Sequence, residues 1–162
     1  PGSSCRPAAG AEVATMARIR LGGLLLAGAL GLPAAANAAS YLEVAVAAAV
    51  LYDAPSDKAN KRFIVTESTP LEVLSTLPPW TKVRDIDGSV NWIRSSELGE
   101  ARHVLAATTA TVRAGPEDGA AVRFRVARGV LLERLTEPAN GWVEVRHQGA
   151  TGFVRVEEVW GL

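Results

Sequence analysis

The chain of 162 residues carries one pattern twice. Residues 49–98 and 110–159 align at an offset of 61 positions, with one local slip between each tryptophan, Trp80 or Trp142, and the glycine that follows it. The matched pairs include Phe63 with Phe124, Leu71 with Leu132, Trp92 with Phe153, and Arg94 with Arg155. A period near 60 residues is too long for a solenoid unit and suits a small domain. Two tandem copies of one module are therefore predicted, which argues against a single-domain enzyme.

The local pattern within each copy is that of β-strands. Polar and apolar residues alternate over 122–126, and turn-forming residues recur every eight to twelve positions. Gly88 and Gly149 lie between two such runs, which predicts hairpin turns that need a positive φ. The alanine-rich segment 44–50 is interpreted as the first strand, because its counterpart 104–112 is rich in β-branched residues. The chain is therefore expected to be all-β.

Residues 16–38 have the layout of a secretory signal peptide. Two arginines precede the apolar stretch 21–32, and the small-x-small motif 36–38 stands before Ala39. The alternative is a membrane anchor, but an apolar stretch of this length is short of the roughly 20 residues that span a bilayer. Cleavage between Ala38 and Ala39 is expected, and the mass of the exported chain checks it. Residues 1–15 are expected to be a disordered leader without function.

The mature product should be periplasmic or secreted, and it should meet the membrane only through the signal peptide before cleavage. Removal of the leader leaves 14 basic and 16 acidic side chains, a balance that argues against nucleic-acid binding. The single cysteine, Cys5, lies in the leader, so no disulfide, thiol nucleophile or cysteine-based metal site is expected. His103 and His147 are interpreted as solvated turn residues. No metal, cofactor or catalytic group is therefore expected.

Three short motifs recur in order in each copy. In the second copy they are Val112-Arg113-Ala114-Gly115-Pro116, Gly141-Trp142-Val143-Glu144-Val145-Arg146 and Gly152-Phe153-Val154. In the first copy the looser versions are Leu51-Tyr52-Asp53-Ala54-Pro55, Pro79-Trp80-Thr81-Lys82-Val83-Arg84 and Asn91-Trp92-Ile93. This order resembles bacterial SH3-like (SH3b) domains, and the whole is similar to exported proteobacterial proteins with two such domains. The resemblance implies two small, strongly bent barrels of five to six strands, over 39–99 and 100–162.

The two barrels are expected to share an interface. A module of about 55 residues buries a small fraction of its surface and is marginal alone. Only five residues separate Leu98 from Val104, so the barrels cannot move far apart. The first copy is rich in acidic residues and the second in arginines. Either these charges form ordinary solvated faces or they meet at the joint between the copies.

Trp80 and Trp142 are candidate ligand-binding residues. Because side chains alternate along a strand, Trp80 shares a face with Lys82 and Trp142 with Glu144, opposite Val83 and its counterpart. A half-exposed ring among polar groups can stack on a sugar or hold an extended peptide. The alternative is that each ring covers the rim of its own barrel or is sealed between the domains.

Tyr52 and Asp53 complete the candidate site. They fall where the long first loop of an SH3-like barrel runs, and the resemblance implies that this loop borders a binding groove beside Trp80. The alternative is an ordinary turn in which Asp53 caps the backbone. Trp92 and Phe153 are assigned to the cores, so Trp92→Ala is expected to cost more stability than Trp80→Ala. Trp160 is expected to seal the C-terminus onto the last barrel.

The expected function is that of a non-catalytic, exported binding module. Its ligand is expected to be peptidoglycan or another component of the cell envelope. The alternative is an envelope scaffold that binds a partner peptide through an SH3-like groove or an edge strand. Catalysis is the third and least favoured class, because no nucleophile, base and carboxylate recur together in the two copies.

Overall fold

The computed structural model describes residues 39–162, which lie within one compact unit. The predicted leader, signal peptide and cleavage motif lie outside the described residues. Over 39–162, no helix is long and apolar enough to cross a bilayer.

Each copy folds into a seven-stranded antiparallel sheet. The strands of the first barrel are β1 (Ser40–Val44), β2 (Ala48–Tyr52), β3 (Lys61–Thr66), β4 (Pro70–Leu77), β5 (Trp80–Arg84), β6 (Val90–Arg94) and β7 (Leu98–Glu100). Those of the second are β8 (His103–Ala106), β9 (Ala110–Arg113), β10 (Val122–Val126), β11 (Leu131–Arg134), β12 (Trp142–His147), β13 (Ala150–Arg155) and β14 (Val159–Trp160). A 3₁₀ turn precedes the last strand of each barrel, over Ser95–Glu97 and Val156–Glu158.

The two sheets have the same topology, which confirms the prediction of tandem all-β barrels. The strand orders are β3-β2-β6-β5-β4-β1-β7 and β10-β9-β13-β12-β11-β8-β14. The count of seven exceeds the five to six strands expected, because the short strands β7 and β14 add to β1 and β8. Gly88 and Gly149 have φ values of 84° and 82°, as the hairpin prediction requires.

The prediction of one strand over 44–50 is wrong. The chain turns after Val44, because its N–H donates to the carbonyl of Thr69 and its own carbonyl accepts from Ser68. β1 thus ends at Val44 and β2 begins at Ala48. Val44 and Ala49, on either side of this turn, are both buried in the core.

Strand pairing also refines the alignment of the two copies. Trp80 pairs with Arg94 as Trp142 pairs with Arg155, so β5 and β12 align at an offset of 62 while β6 and β13 keep 61. The extra residue of the second copy lies in the turn before Trp142. The first copy has one residue more in the hairpin that contains Gly88, which restores the offset of 61.

Each barrel has its own apolar core, and the two differ in size. Six buried residues form the first core: Val44, Ala49, Leu51, Leu71, Val83 and Ile93. Ten form the second: Val104, Ala106, Ala110, Val112, Val126, Leu132, Val143, Val145, Val154 and Val159. Burial of one such side chain contributes roughly 1.5–3 kcal/mol for residues of the Val and Leu class. The first barrel therefore has the smaller apolar contribution from its core.

Polar contacts join the barrels around Glu43. Its Oε2 accepts hydrogen bonds from the backbone N–H groups of Arg102 (2.8 Å) and His103 (3.1 Å), and it lies 3.0 Å from Nδ1 of His103. His103 is therefore held against the first barrel rather than solvated in a linker. A second link is the ion pair of Asp87 with Arg128, at 2.7 Å.

Aromatic and close backbone contacts complete the joint. The ring of Trp160 packs edge to face on Tyr41 of the first barrel, with the ring centroids 5.1 Å apart. Gly161 has a φ of 108°, and a Cβ at this position would lie 2.9 Å from Cβ of Pro70. Trp160 therefore contacts both barrels rather than closing the second alone.

Candidate ligand-binding faces

Five side chains form what we call the outer face of the first barrel: Tyr52, Trp80, Lys82, Trp92 and Arg94. The strand register pairs Trp80 with Arg94, Lys82 with Trp92, and Tyr52 with Trp92. Because neighbouring residues of a strand point to opposite sides, this face lies opposite the core. The equivalent outer face of the second barrel consists of Arg113, Trp142, Glu144, Phe153 and Arg155.

Trp80 lies on the face opposite the core, as the sequence predicted, and its burial matches the alternative in which the ring covers its own barrel. Trp80 lies outside the core cluster, yet only 5% of it is exposed. Tyr52 packs edge to face on the ring at 5.3 Å, and the guanidinium of Arg94 lies 4.9 Å above it. Asp57 forms an ion pair with Arg94 and so holds it in place. Trp80 therefore supports Tyr52 from below and offers a ligand little surface.

Trp142 is covered in the same way and matches the same alternative. It is 6% exposed, and the guanidinium of Arg155 lies 4.7 Å above its ring. Asp118 forms an ion pair with Arg155, and that hydrogen bond lowers the pKa of the Asp118 carboxyl. The stack of aspartate, arginine and tryptophan thus occurs in both barrels. The sequence analysis missed this stack, although its aspartate and its arginine each recur in the second copy at an offset of 61.

Trp92 and Phe153 are outer-face residues that the sequence analysis wrongly assigned to the cores. Ile93, the neighbour of Trp92, is fully buried, so Trp92 points away from the core and is only half-buried. The ammonium of Lys82 lies 5.8 Å from the centroid of its ring. Strand alternation with Ile93 was the signal that could have placed it. Phe153 is half-buried too and lies opposite Glu144 in the register, so it also belongs to the outer face.

The other two candidate residues, Tyr52 and Asp53, play different roles. Tyr52 lies beside Trp80, as the sequence predicted, and its ring is half-buried. Asp53 closes the loop between β2 and β3, because its Oδ1 accepts from the backbone N–H of Asn60 (3.0 Å) and its Oδ2 from Nδ2 (2.8 Å). The side-chain bond from Asn60 lowers the pKa of Asp53. These contacts match the turn-capping alternative for Asp53.

The outer face of the second barrel borders a small cavity. Its volume is about 160 Å³, and it is lined by Pro116, Thr136, Glu137, Ala139, Asn140, Trp142, Glu144 and Phe153. Pockets for drug-sized ligands measure about 300–1,000 Å³, so this cavity suits one small group such as a single side chain. Arg113 lies beside Phe153 in the register and donates to the carbonyl of Ala120 (3.0 Å). Arg113 thus supports the loop between β9 and β10.

Among residues 39–162, no three potential metal ligands of the His, Cys, Asp or Glu type cluster together. Neither outer face combines a nucleophile with a base in the contacts described above. What the two faces offer chemically is aromatic surface, fixed charges and, in the second barrel, a cavity for one small group.

Three solved structures are similar to the chain at low identity. They are NlpC2 from Trichomonas vaginalis (14% identity, TM-score 0.37), NlpC1 from the same organism (15%, 0.37) and an NlpC/P60 family protein from Bacillus cereus ATCC 10987 (16%, 0.36). The matches cover 76%, 75% and 75% of this chain but 48%, 45% and 56% of those structures. The chain thus spans about half the length of the structures it matches. A comparison with curated proteins gives no match.

The family comparison covers both barrels separately. The model of the bacterial SH3 domain matches residues 45–100 and again residues 106–161. The first match runs from the end of β1 to β7, and the second from the end of β8 to the residue after β14. The chain therefore belongs to the bacterial SH3 domain family and contains two tandem domains of it.

Proposed function

We propose that the protein is an exported, non-catalytic module that binds peptidoglycan or another ligand of the cell envelope. The observation that carries the proposal is the outer face of the first barrel, where the half-buried ring of Trp92 lies between the half-buried ring of Tyr52 and the ammonium of Lys82. A bacterial SH3 chain with an export signal would meet the cell wall as its nearest polymer. Family and compartment therefore favour a wall ligand.

The chemistry of this face suits a ligand that carries both rings and anionic groups. A partly exposed aromatic ring packs against the apolar side of a sugar and still leaves the polar edges of that sugar hydrated. Lys82 carries a compact charge that can pair with a carboxylate of a stem peptide. Trp80 takes part indirectly, since it fixes the ring of Tyr52.

The second barrel is the weaker candidate for an anionic ligand. Glu144 occupies the position of Lys82, and its charge would repel a carboxylate at the same place. Phe153 occupies the position of Trp92 and offers a smaller ring. We therefore place the principal wall contact on the first barrel.

Sedimentation with purified peptidoglycan tests the proposal. The protein of residues 39–162 should sediment with it, and Trp92→Ala should weaken binding about 2- to 13-fold, since one aromatic contact contributes about 0.5–1.5 kcal/mol. Lys82→Glu should weaken binding further, and because a carboxylate at this position repels an anionic ligand, added salt should strengthen the residual binding. The matched control is Phe153→Ala, which truncates the equivalent ring of the second barrel and should leave binding intact. Binding that is lost in Phe153→Ala but kept in Trp92→Ala would place the site on the second barrel and contradict our assignment to the first. If the wild type does not sediment with peptidoglycan, wall binding is refuted.

A second candidate function is supported by the cavity beside Trp142. Its size fits one side chain, so the second barrel could hold a partner peptide in an envelope scaffold. Thr136→Tyr would fill the cavity without altering the tryptophan. Loss of a partner peptide in this variant, with no sedimentation of the wild type on peptidoglycan, would favour the scaffold.

A further inference from the structure

β3 is an edge strand of the first barrel that exposes apolar side chains. It stands at the end of the strand order and pairs only with β2. Ile64 is 74% exposed, the highest value among the large apolar residues of 39–162, and Phe63 is 47% exposed. Ile64 and Phe63 line a groove of about 580 Å³ together with Val50, Lys61 and Arg62. An exposed apolar edge is a template for pairing with another strand.

The equivalent edge of the second barrel is protected. β10 also stands at the end of its sheet, but Arg125 occupies the position of Ile64. Arg125 and Arg123 are both exposed on this strand, and charged residues on an edge oppose pairing with other chains. Over 61–65 and 122–126 the two edges differ at two positions, since Lys61 corresponds to Val122 and Ile64 to Arg125, while Arg62 matches Arg123. The centre of the edge is therefore charged on β10 and apolar on β3.

The backbone of Ile64 faces away from the barrel. The N–H of Glu67 donates to the carbonyl of Ala47, which places Glu67 among the residues that bond toward β2. Residues of an antiparallel strand alternate between the two sides, so Val65 also bonds toward β2 and Ile64 points outward. The N–H and carbonyl of Ile64 are thus directed to the side on which β3 has no neighbour.

We infer that β3 pairs with β3 of a second copy of this chain, antiparallel and around a twofold axis at Ile64. A twofold axis normal to the sheet keeps each residue on its own face, so Ile64 lies opposite Ile64 and Phe63 opposite Val65 of the second copy. The apolar side chains of the two edges then cover one another.

Charge complementarity favours this occupant and this direction. β3 begins with the basic residues Lys61 and Arg62, and the acidic Glu67 directly follows its end. Antiparallel pairing places the basic end of one strand beside the acidic end of the other, whereas parallel pairing would place like charges together. Within residues 39–162, Lys61 and Glu67 take no part in an ion pair of the barrel, so both charges are available to a neighbouring strand.

A dimer of this kind is expected to be weak and reversible. One strand pair buries less surface than the 1,200–2,000 Å² or so of a stable interface. It would nevertheless present two outer faces to a polymer, and linked sites raise the apparent affinity without any new contact.

Sedimentation equilibrium of the protein of residues 39–162, over a concentration series, tests the inference. The wild type should show a concentration-dependent dimer, and Ile64→Arg, which copies Arg125, should raise its dissociation constant at least about tenfold. Val90→Arg is the matched control, because Val90 is also exposed (45%) but lies on β6, inside the sheet. It should leave the dimer unchanged.

A charge exchange tests the direction of pairing. The twofold axis creates two pairs of Lys61 with Glu67, and exposed pairs contribute about 0.2–1 kcal/mol each, so Lys61→Glu and Glu67→Lys should each weaken the dimer by up to about 30-fold. The double variant should restore it. A wild type that stays monomeric at every concentration overturns the inference and leaves wall binding untouched. Equal weakening by Ile64→Arg and Val90→Arg, or a double variant weaker than both single variants, overturns it as well.

Discussion

The two barrels have one framework and two different surfaces. In each, an arginine paired with an aspartate covers a tryptophan, Trp80 under Arg94 and Trp142 under Arg155. Each also ties the fourth strand to the fifth with a two-point ion pair, Glu72 with Arg84 and Glu133 with Arg146, all at 2.6–2.8 Å. Residues that recur in both copies are thus explained by the fold, and the residues that differ are candidates for function.

The differences concentrate on the outer face and on the edge strand. Tyr52, Lys82 and Trp92 of the first barrel correspond to Arg113, Glu144 and Phe153 of the second, and Ile64 corresponds to Arg125. The second barrel combines the larger apolar core with the more charged outer face. This division suggests that the second barrel stabilises the pair while the first contacts ligand and partner.

Truncation of the covered tryptophans should have the largest effect on stability. Trp80→Ala and Trp142→Ala should each cost about 3–5 kcal/mol, because both rings are buried and both support a stacked arginine. Trp92→Ala should cost less, which reverses the order that the sequence suggested. Chemical denaturation followed by circular dichroism measures all three.

Phe153→Ala is the control for this comparison, since its ring occupies the position of Trp92 and is likewise half-buried. It should resemble Trp92→Ala rather than Trp142→Ala. A larger loss of stability for Trp92→Ala than for Trp80→Ala would contradict the interpretation that residues repeated in both copies are the ones that stabilise the fold.

The repeat, the strand content and the hairpin glycines could be predicted from sequence because they depend on local periodicity. Alternation also placed Trp80 opposite Val83 correctly. The burial of Trp80 could not be predicted in this way, because it results from Tyr52 and Arg94, which reach the ring from two other strands. The role of Asp53 was left between two readings for a similar reason, since its partner Asn60 lies at the far end of the loop.

Substitution at one matched position should affect the two barrels differently. Gly152 corresponds to Asn91, and a Cβ at Gly152 would lie 2.6 Å from both the carbonyl oxygen of Arg113 and Cγ1 of Val112. Gly152→Ala should therefore cost about 1–3 kcal/mol through overpacking. Asn91→Gly should cost less, because it removes a buried Nδ2 without a hydrogen-bond partner among the described residues, which offsets the lost backbone rigidity.

Thermal unfolding of both variants tests this asymmetry. Gly149→Ala is a useful second control, because that glycine, unlike Gly152, has a positive φ, and an added Cβ there meets no atom within 4 Å. Its cost should come from backbone strain alone. Equal losses of stability in Gly152→Ala and Asn91→Gly would contradict the interpretation that the close packing of β13 on β9 in the second barrel requires a glycine at this position.

The smallest expected effect is the pH dependence of the ion pair over Trp142. The hydrogen bond from Arg155 lowers the pKa of Asp118 below its ordinary value of 3.8. The folded protein therefore binds fewer protons than the unfolded chain, so the contribution of this pair is fully present above about pH 4 and is lost as the pH falls through the lowered pKa. Denaturant titrations between neutral and acidic pH should show wild type losing more stability than Asp118→Asn over that range, and added salt should narrow the difference, since both partners are partly exposed. Parallel pH curves for wild type and Asp118→Asn would instead show that Arg155 stays stacked on Trp142 without its aspartate. The contact of arginine with ring, and not the ion pair, would then stabilise this stack, and the same would be expected of Arg94 over Trp80 in the first barrel.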